Sequence, residues 1–159
     1  MKDNFKKDQQ LSYNFWYSEL VRTEHRQFLE KNWIEGLQYI DNARKLCFDL
    51  LQPIRDYYNK PLIIHSGFRC KELNRAVKGS PNSQHTFFEA CDFHIVGEKL
   101  ENIWQWIWKE SKLRFGQIIL EGWVVGRPSW IHISLCGNRP LDKCQEVWTF
   151  FQGKYSKIA

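Results

Sequence analysis

The sequence predicts an α+β domain: a small, mostly antiparallel sheet with helices packed on it. Three observations carry this. Short apolar runs with strand-like character recur at 61–65, 90–96, 117–125 and 130–135. Apolar residues at three-and-four spacing mark helices over 37–58 and 99–109. The last two apolar runs are joined by the turn Gly126-Arg127-Pro128-Ser129, which makes them an antiparallel hairpin. Strands interleaved with helices and closed by a hairpin read as α+β.

Residues 1–12 are polar and read as a frayed, disordered start, leaving 13–159 as one domain. A first helix is expected from Trp16 to Leu29, with Ser18 as N-cap, followed by a linker holding Asn32, Trp33 and Gly36. In the long segment Leu37 to Tyr58, the residues Ile40, Ala43, Leu46, Cys47, Leu50, Leu51 and Ile54 form one buried face, which Pro53 should kink or interrupt. Pro61 to His65 reads as a buried strand. Residues 70–78 read as a short helix, and 79–83 as a loop. Ala90 to Val96 is the second strand, and Lys99 to Lys109 is a Trp-rich helix with Ile103, Trp104 and Ile107 inward. Gln117 to Val125 and Trp130 to Leu135 are the hairpin strands. Leu141 to Gln152 is expected as a closing helix with Val147, Trp148 and Phe151 inward, and Trp104, Trp108 and Trp148 as core.

The chain has 159 residues, 43% hydrophobic and 26% charged, values of a globular protein and not of a disordered one. No apolar run is long enough to span a bilayer, and the charged start lacks the apolar stretch of a secretion signal, so the expectation is a chain cytoplasmic as synthesised. The net charge of +5 suits an anionic partner, but the basic residues form no block, so a nucleic-acid partner is not expected. Five cysteines, an odd number without a short pair, read as reduced thiols.

The densest polar stretch is Ser83 to Asp92. It holds His85 in a loop and Asp92 in a strand, and a further histidine, His132, lies in the strand Trp130-Ile131-His132-Ile133-Ser134. A strand histidine either hydrogen-bonds to its neighbours or ligates a metal. Two histidines and one aspartate also make the donor set of a hydrolytic zinc, which takes three protein ligands and keeps one open position. A cysteine hydrolase built on Cys91 and His85 is weaker, because alternation turns Cys91 away from the Asp92 side.

The motifs Ser66-Gly67-Phe68-Arg69, Leu73-Asn74, Ser83-x-His85, Ala90-x-Asp92 and Trp130-x-His132-x-Ser134 occur in that order. Together they resemble the zinc D-alanyl-D-alanine carboxypeptidase family, which includes L-alanyl-D-glutamate endopeptidases of phage lysins and shares its zinc-site fold with the hedgehog signalling domain. The resemblance implies Zn²⁺ on His85, Asp92 and His132, with Arg69 as a catalytic residue that faces the substrate and stabilises the oxyanion together with the metal, and with Ser83 and Trp130 beside the substrate. It implies a peptidoglycan stem peptide as substrate and, for a phage-derived chain, release to the cell wall. Two departures matter. Phe88 stands where the family has glycine, so a ring is expected to crowd the metal. Ser129 stands where many members carry the general base, three residues before the last ligand, so the base is expected at Glu121 on the partner strand. These departures leave an alternative: a catalytically degenerate zinc-binding member with a binding or structural role.

Overall fold

The computed structural model describes residues 8–122, 128–137 and 139–159. It is α+β, as expected. A two-stranded ribbon, β1 (Gln10–Ser12) with β2 (Phe15–Trp16), precedes a six-stranded sheet. The sheet strands are β3 (Leu62–Ser66), β4 (Ala90–Ile95), β5 (Gln117–Glu121), β6 (Trp130–Ser134), β7 (Glu146–Phe151) and β8 (Lys154–Lys157). Their spatial order is β3-β4-β6-β5-β7-β8, and every pair is antiparallel except β5 with β7. The helices are α1 (Tyr17–Val21), α2 (Leu29–Gly36), α3 (Ile40–Leu46), α4 (Gln52–Tyr58), α5 (Lys71–Ala76) and α6 (Leu100–Lys109).

Alternation sorts the sheet into two faces. Cys91, Phe93, Ile118, Leu120, Ile131, Ile133 and Val147 are buried on one face, in a single cluster with Leu46, Leu50, Ile54, Ile103 and Ile107 of the helical segments. The opposite face carries a polar row: Ser66 pairs with Asp92, Asp92 with His132, and His132 with Ile119. Glu121 lies two residues beyond Ile119 and so on the same face.

Several expectations are corrected. Residues 10–12 are not frayed: they form β1, and Leu11 enters the core. The first helix is split. It ends at Val21, where Arg22 turns extended, and the stretch read as a linker is α2. The break is held by Asn32, which is fully buried. Its amide donates to the carbonyls of Val21 (2.7 Å) and Phe68 (2.8 Å), and its carbonyl oxygen accepts the Cys70 N–H (2.7 Å). α1 starts at Tyr17 with Trp16 as its N-cap, and Glu19 accepts the Trp16 N–H at 2.9 Å. Ser18 instead donates to Asp8.

The long helix is continuous through Pro53, because Cys47–Leu51 widens into a π-helical turn just before it. A proline removes one N–H from the helical ladder, and a π turn absorbs that loss without a break.

The closing helix does not form. After a 3-10 turn at Leu141–Lys143 the chain becomes the β7–β8 hairpin, turning through Gln152 and Gly153, both at positive φ (49° and 77°). That pair of dihedrals is the two-residue turn that matches strand twist, and the flanking Val147, Trp148, Thr149, Phe150 and Phe151 are strand formers. Trp104 is buried, while Trp108 and Trp148 are half-buried. The cysteines are not all reduced: Cys136 and Cys144, with Cα atoms 5.5 Å apart, form a disulfide, and Cys47, Cys70 and Cys91 are the buried free thiols. An odd count concealed one pair. Residues 123–125 of the expected third strand, and Gly126 and Arg127 of its turn, lie outside the described residues.

Phe88 does not crowd the metal site. Its backbone takes the left-handed conformation (φ 58°) that favours glycine, while its ring is fully buried against Phe68 and Tyr17, with centroids 5.3 and 6.0 Å away. Left-handed backbone costs about 1–2 kcal/mol, and removing a buried phenylalanine ring costs about 3–5 kcal/mol. Phe88→Gly is therefore expected to lose about 2 kcal/mol net. Urea unfolding of the variant checks this, and a gain in stability would show that strain dominates.

Candidate metal centre and active-site cleft

The site is assembled from the α1 end outward. Gly67 lies so close to the backbone of α1 that a Cβ there would sit 2.2 Å from the Leu20 carbonyl oxygen; the Phe68 N–H bonds that same oxygen at 2.8 Å. The Gly67 carbonyl, fixed in this way, accepts Nδ1–H of His85 at 2.6 Å. The Nε2 atom of His85 is thereby left without a proton and faces inward.

His132 is oriented in the complementary sense. Its Nδ1 lies 2.9 Å from Asp92 Oδ1, and its Nε2 lies 3.3 Å from Oε1 of Gln84. His85 Nε2 lies 3.2 Å from His132 Nδ1 and 3.2 Å from Asp92 Oδ1. All three residues are buried, and their ligand atoms lie within 4.8 Å of one another. Two imidazole nitrogens and a carboxylate oxygen converge, the donor types that a hydrolytic zinc takes, so the residues present fit Zn²⁺.

The electrostatics agree. Burial pushes the His85 imidazole below its ordinary value, so it stays neutral, as a ligand must. Burial opposes ionisation of Asp92, but the facing His85 and His132 outweigh it and hold the carboxyl well below its usual range. Arg69 reaches the same group: Nη2 donates to Asp92 Oδ2 at 2.6 Å and lies 3.2 Å from His85 Nε2, and Nε donates to Ser66 Oγ at 2.7 Å. Arg69 thus orients the carboxylate, and its remaining edge opens to the cleft, where it lines the cavities on either side.

Glu121 lies on β5, directly opposite Trp130 on β6. Its Oε1 accepts the indole N–H of Trp130 at 3.0 Å, and burial raises its carboxyl above the ordinary value. Trp130 therefore holds Glu121. Ser83 lines the cleft, and its carbonyl accepts the Thr86 hydroxyl at 2.7 Å, steadying the turn that carries His85. His94 pairs with His65 at 2.7 Å, on the edge-strand side of the sheet. The Cys91 thiol faces the core and is pushed well up by burial, which removes the cysteine-hydrolase reading. A second acidic cluster, Glu35, Cys70 and Glu72, already has Lys31 on both carboxylates, at 3.5 and 2.9 Å.

Sequence reasoning missed three residues. Gly67 and Gln84 orient the histidines from outside, and Tyr155 enters from the terminal hairpin to within 3.5 Å of Glu121 Oε2. Gln84 was within reach, since it sits inside the Ser83-x-His85 motif. Groups that orient a ligating imidazole are typically worth about 10- to 100-fold in metal affinity. Gln84→Ala is expected to weaken zinc binding by about that factor, which competition with a chelator of known affinity measures.

No curated protein matches the chain. The family model described as Peptidase M15 matches residues 14–134, a span that includes His85, Asp92, Glu121 and His132. That match covers most of the sequence, and with the buried His85–Asp92–His132 group it makes the chain a member of the peptidase M15 family, a zinc-dependent metallopeptidase.

Proposed function

We propose that this peptidase hydrolyses peptidoglycan stem peptides, at a D-Ala-D-Ala or L-Ala-D-Glu bond. The observation that carries the reading is the convergence of His85 Nε2, Asp92 Oδ1 and His132 Nδ1 at the wall of a cleft that also holds Glu121. His85, Asp92 and His132 hold the zinc. Zinc bound there supplies a Lewis acid for the scissile carbonyl and lowers the pKa of water from about 15.7 toward about 7. Glu121, kept in place by Trp130, takes the proton of the attacking water and returns it to the leaving amine. Its raised carboxyl pKa suits both halves of that exchange. The free edge of Arg69 and the loop at Ser83 position the peptide. A surplus of five positive charges favours approach to an anionic wall polymer.

The degenerate alternative drew on Phe88 and Ser129. The ring of Phe88 packs into the core and leaves the cleft free. Ser129 is replaced in function by Glu121, whose carbonyl accepts the Ser129 N–H at 2.9 Å. The test is zinc content of the purified chain together with release of peptide fragments from muropeptides. About one zinc per chain and cleavage that His132→Ala abolishes are expected. A zinc-loaded chain inert on muropeptides would remove the substrate assignment.

A further inference from the structure

Tyr155 lies outside the span that the family model matches. It sits on β8 at the sheet edge, opposite Phe150 of β7, and its ring packs on Phe150 with centroids 4.5 Å apart. The β7–β8 hairpin carries it back over the catalytic face. Two cavities flank the metal ligands. One, of about 590 Å³, runs past Ser83, His85 and His132; the other, of about 670 Å³, runs past His65, Asp92 and Trp130. Tyr155 lines both, as do Arg69 and Glu121, so it stands where the two meet. A peptide passing from one cavity to the other passes Tyr155. The side chain remains open to it, since the residue is 53% exposed.

The hydroxyl has a weak partner of its own. It lies 3.5 Å from Glu121 Oε2, at the outer limit of a hydrogen bond, and such a bond is readily exchanged for a better acceptor. Meanwhile two nitrogens of Arg69, Nε and Nη2, are engaged by Ser66 and Asp92. The waist of the cleft therefore holds a neutral phenolic donor beside the cations Arg69 and Lys78, which line the same two cavities.

We propose that Tyr155 is a catalytic residue whose hydroxyl stabilises the oxyanion of the tetrahedral intermediate. This rests on the peptidase reading above. In the step, the water oxygen bonds to the scissile carbonyl carbon and the carbonyl π pair moves onto its oxygen. Tyr155 turns its O–H from Glu121 to that oxygen, donating a hydrogen bond without losing its proton. Glu121 accepts the proton of the water and delivers it to the amide nitrogen as the C–N bond breaks and the carbonyl re-forms. Moving the Tyr155 donor away from Glu121 also leaves Oε2 free to hold that proton. One donor thus serves the resting carboxylate and then the transition state, which is differential binding of the kind that raises kcat.

The test compares Tyr155→Phe and Tyr155→Ala with the zinc-loaded wild type. Zinc per chain and urea unfolding should be unchanged in Tyr155→Phe. Its kcat should fall about 10- to 100-fold, less than the loss of a sole oxyanion donor, with KM within about two-fold. Tyr155→Ala should match it. The inhibition constant of a phosphinate peptide, whose tetrahedral phosphorus stands in place of the scissile carbonyl, should rise by the same factor. Wild-type kcat in Tyr155→Phe, or a loss confined to Tyr155→Ala, would overturn the proposal, because the ring and not the hydroxyl would then matter. If muropeptides are not cleaved at all, the substrate class fails separately, and phosphinate affinity in wild type against Tyr155→Phe still decides the role of the hydroxyl.

Discussion

Asp92→Ala is expected to abolish zinc binding and hydrolysis together and to destabilise the metal-free protein by about 3–5 kcal/mol. Asp92 is the hub of the site. It bridges Arg69 on one oxygen and both histidines on the other, and it is buried. Removing it takes away one of three zinc ligands and leaves the Arg69 guanidinium, only 16% exposed, facing no counter-charge at that position. Breaking a buried pair from one side is costly because the remaining ion keeps its desolvation penalty. Elemental analysis reads the first effect, and urea unfolding in the presence of a chelator reads the second. Asp92→Asn keeps the shape and loses the charge, so it should lose zinc with a smaller loss of stability.

The pH dependence follows with a definite sign. The native carboxyl of Asp92 is held below its ordinary value of 3.8. Its contribution to the metal-free protein is therefore complete above 3.8 and is lost as pH falls through the lower native value. The stability gap between wild type and Asp92→Asn should narrow as pH falls below 3.8 toward the lower native value. A gap independent of pH would show that the carboxylate is not the source of the stability.

Glu121→Gln is expected to lower kcat by about 10²–10⁴-fold while leaving about one zinc per chain. The substitution is nearly isosteric. The glutamine Oε1 still accepts the Trp130 indole N–H, so the cleft keeps its shape and loses only the proton acceptor. Steady-state hydrolysis alongside metal analysis separates this from the Asp92 case, in which both readings fall. Full activity in Glu121→Gln would move the base elsewhere and revive the question raised by Ser129.

The candidate ligands His85, Asp92 and His132 were legible through the ordered motifs that carry the family resemblance, and the structure brings the three together. Strand alternation puts Asp92 and His132 on one face, and the Ser83-x-His85 loop precedes the strand bearing Asp92. Glu121 came from the resemblance, as the acidic residue near the end of the partner strand, and the structure sets it opposite Trp130. What escaped depends on contacts between distant segments. The split after Val21 follows from one buried side chain, Asn32, reaching two separate loops, and no periodicity announces that. The orientation of Phe88 was misjudged because a left-handed backbone at a bulky residue is rare; burial of the ring sustains it. The terminal hairpin was misread because its alternation sits among aromatics that also suit a helix, although Gln152-Gly153 offered a turn signal. Tyr155 was lost with it.

The strand order has a consequence for the timing of activity. β6 lies between β4 and β5, so His132 reaches Asp92 only when a late segment of the chain is inserted into the middle of the sheet. A nascent chain emerging from the ribosome presents His85 and Asp92 long before their third partner. Two ligands hold zinc far less tightly than three. The three-residue metal group is therefore complete only once residues 130–134 have emerged and β6 has entered the sheet.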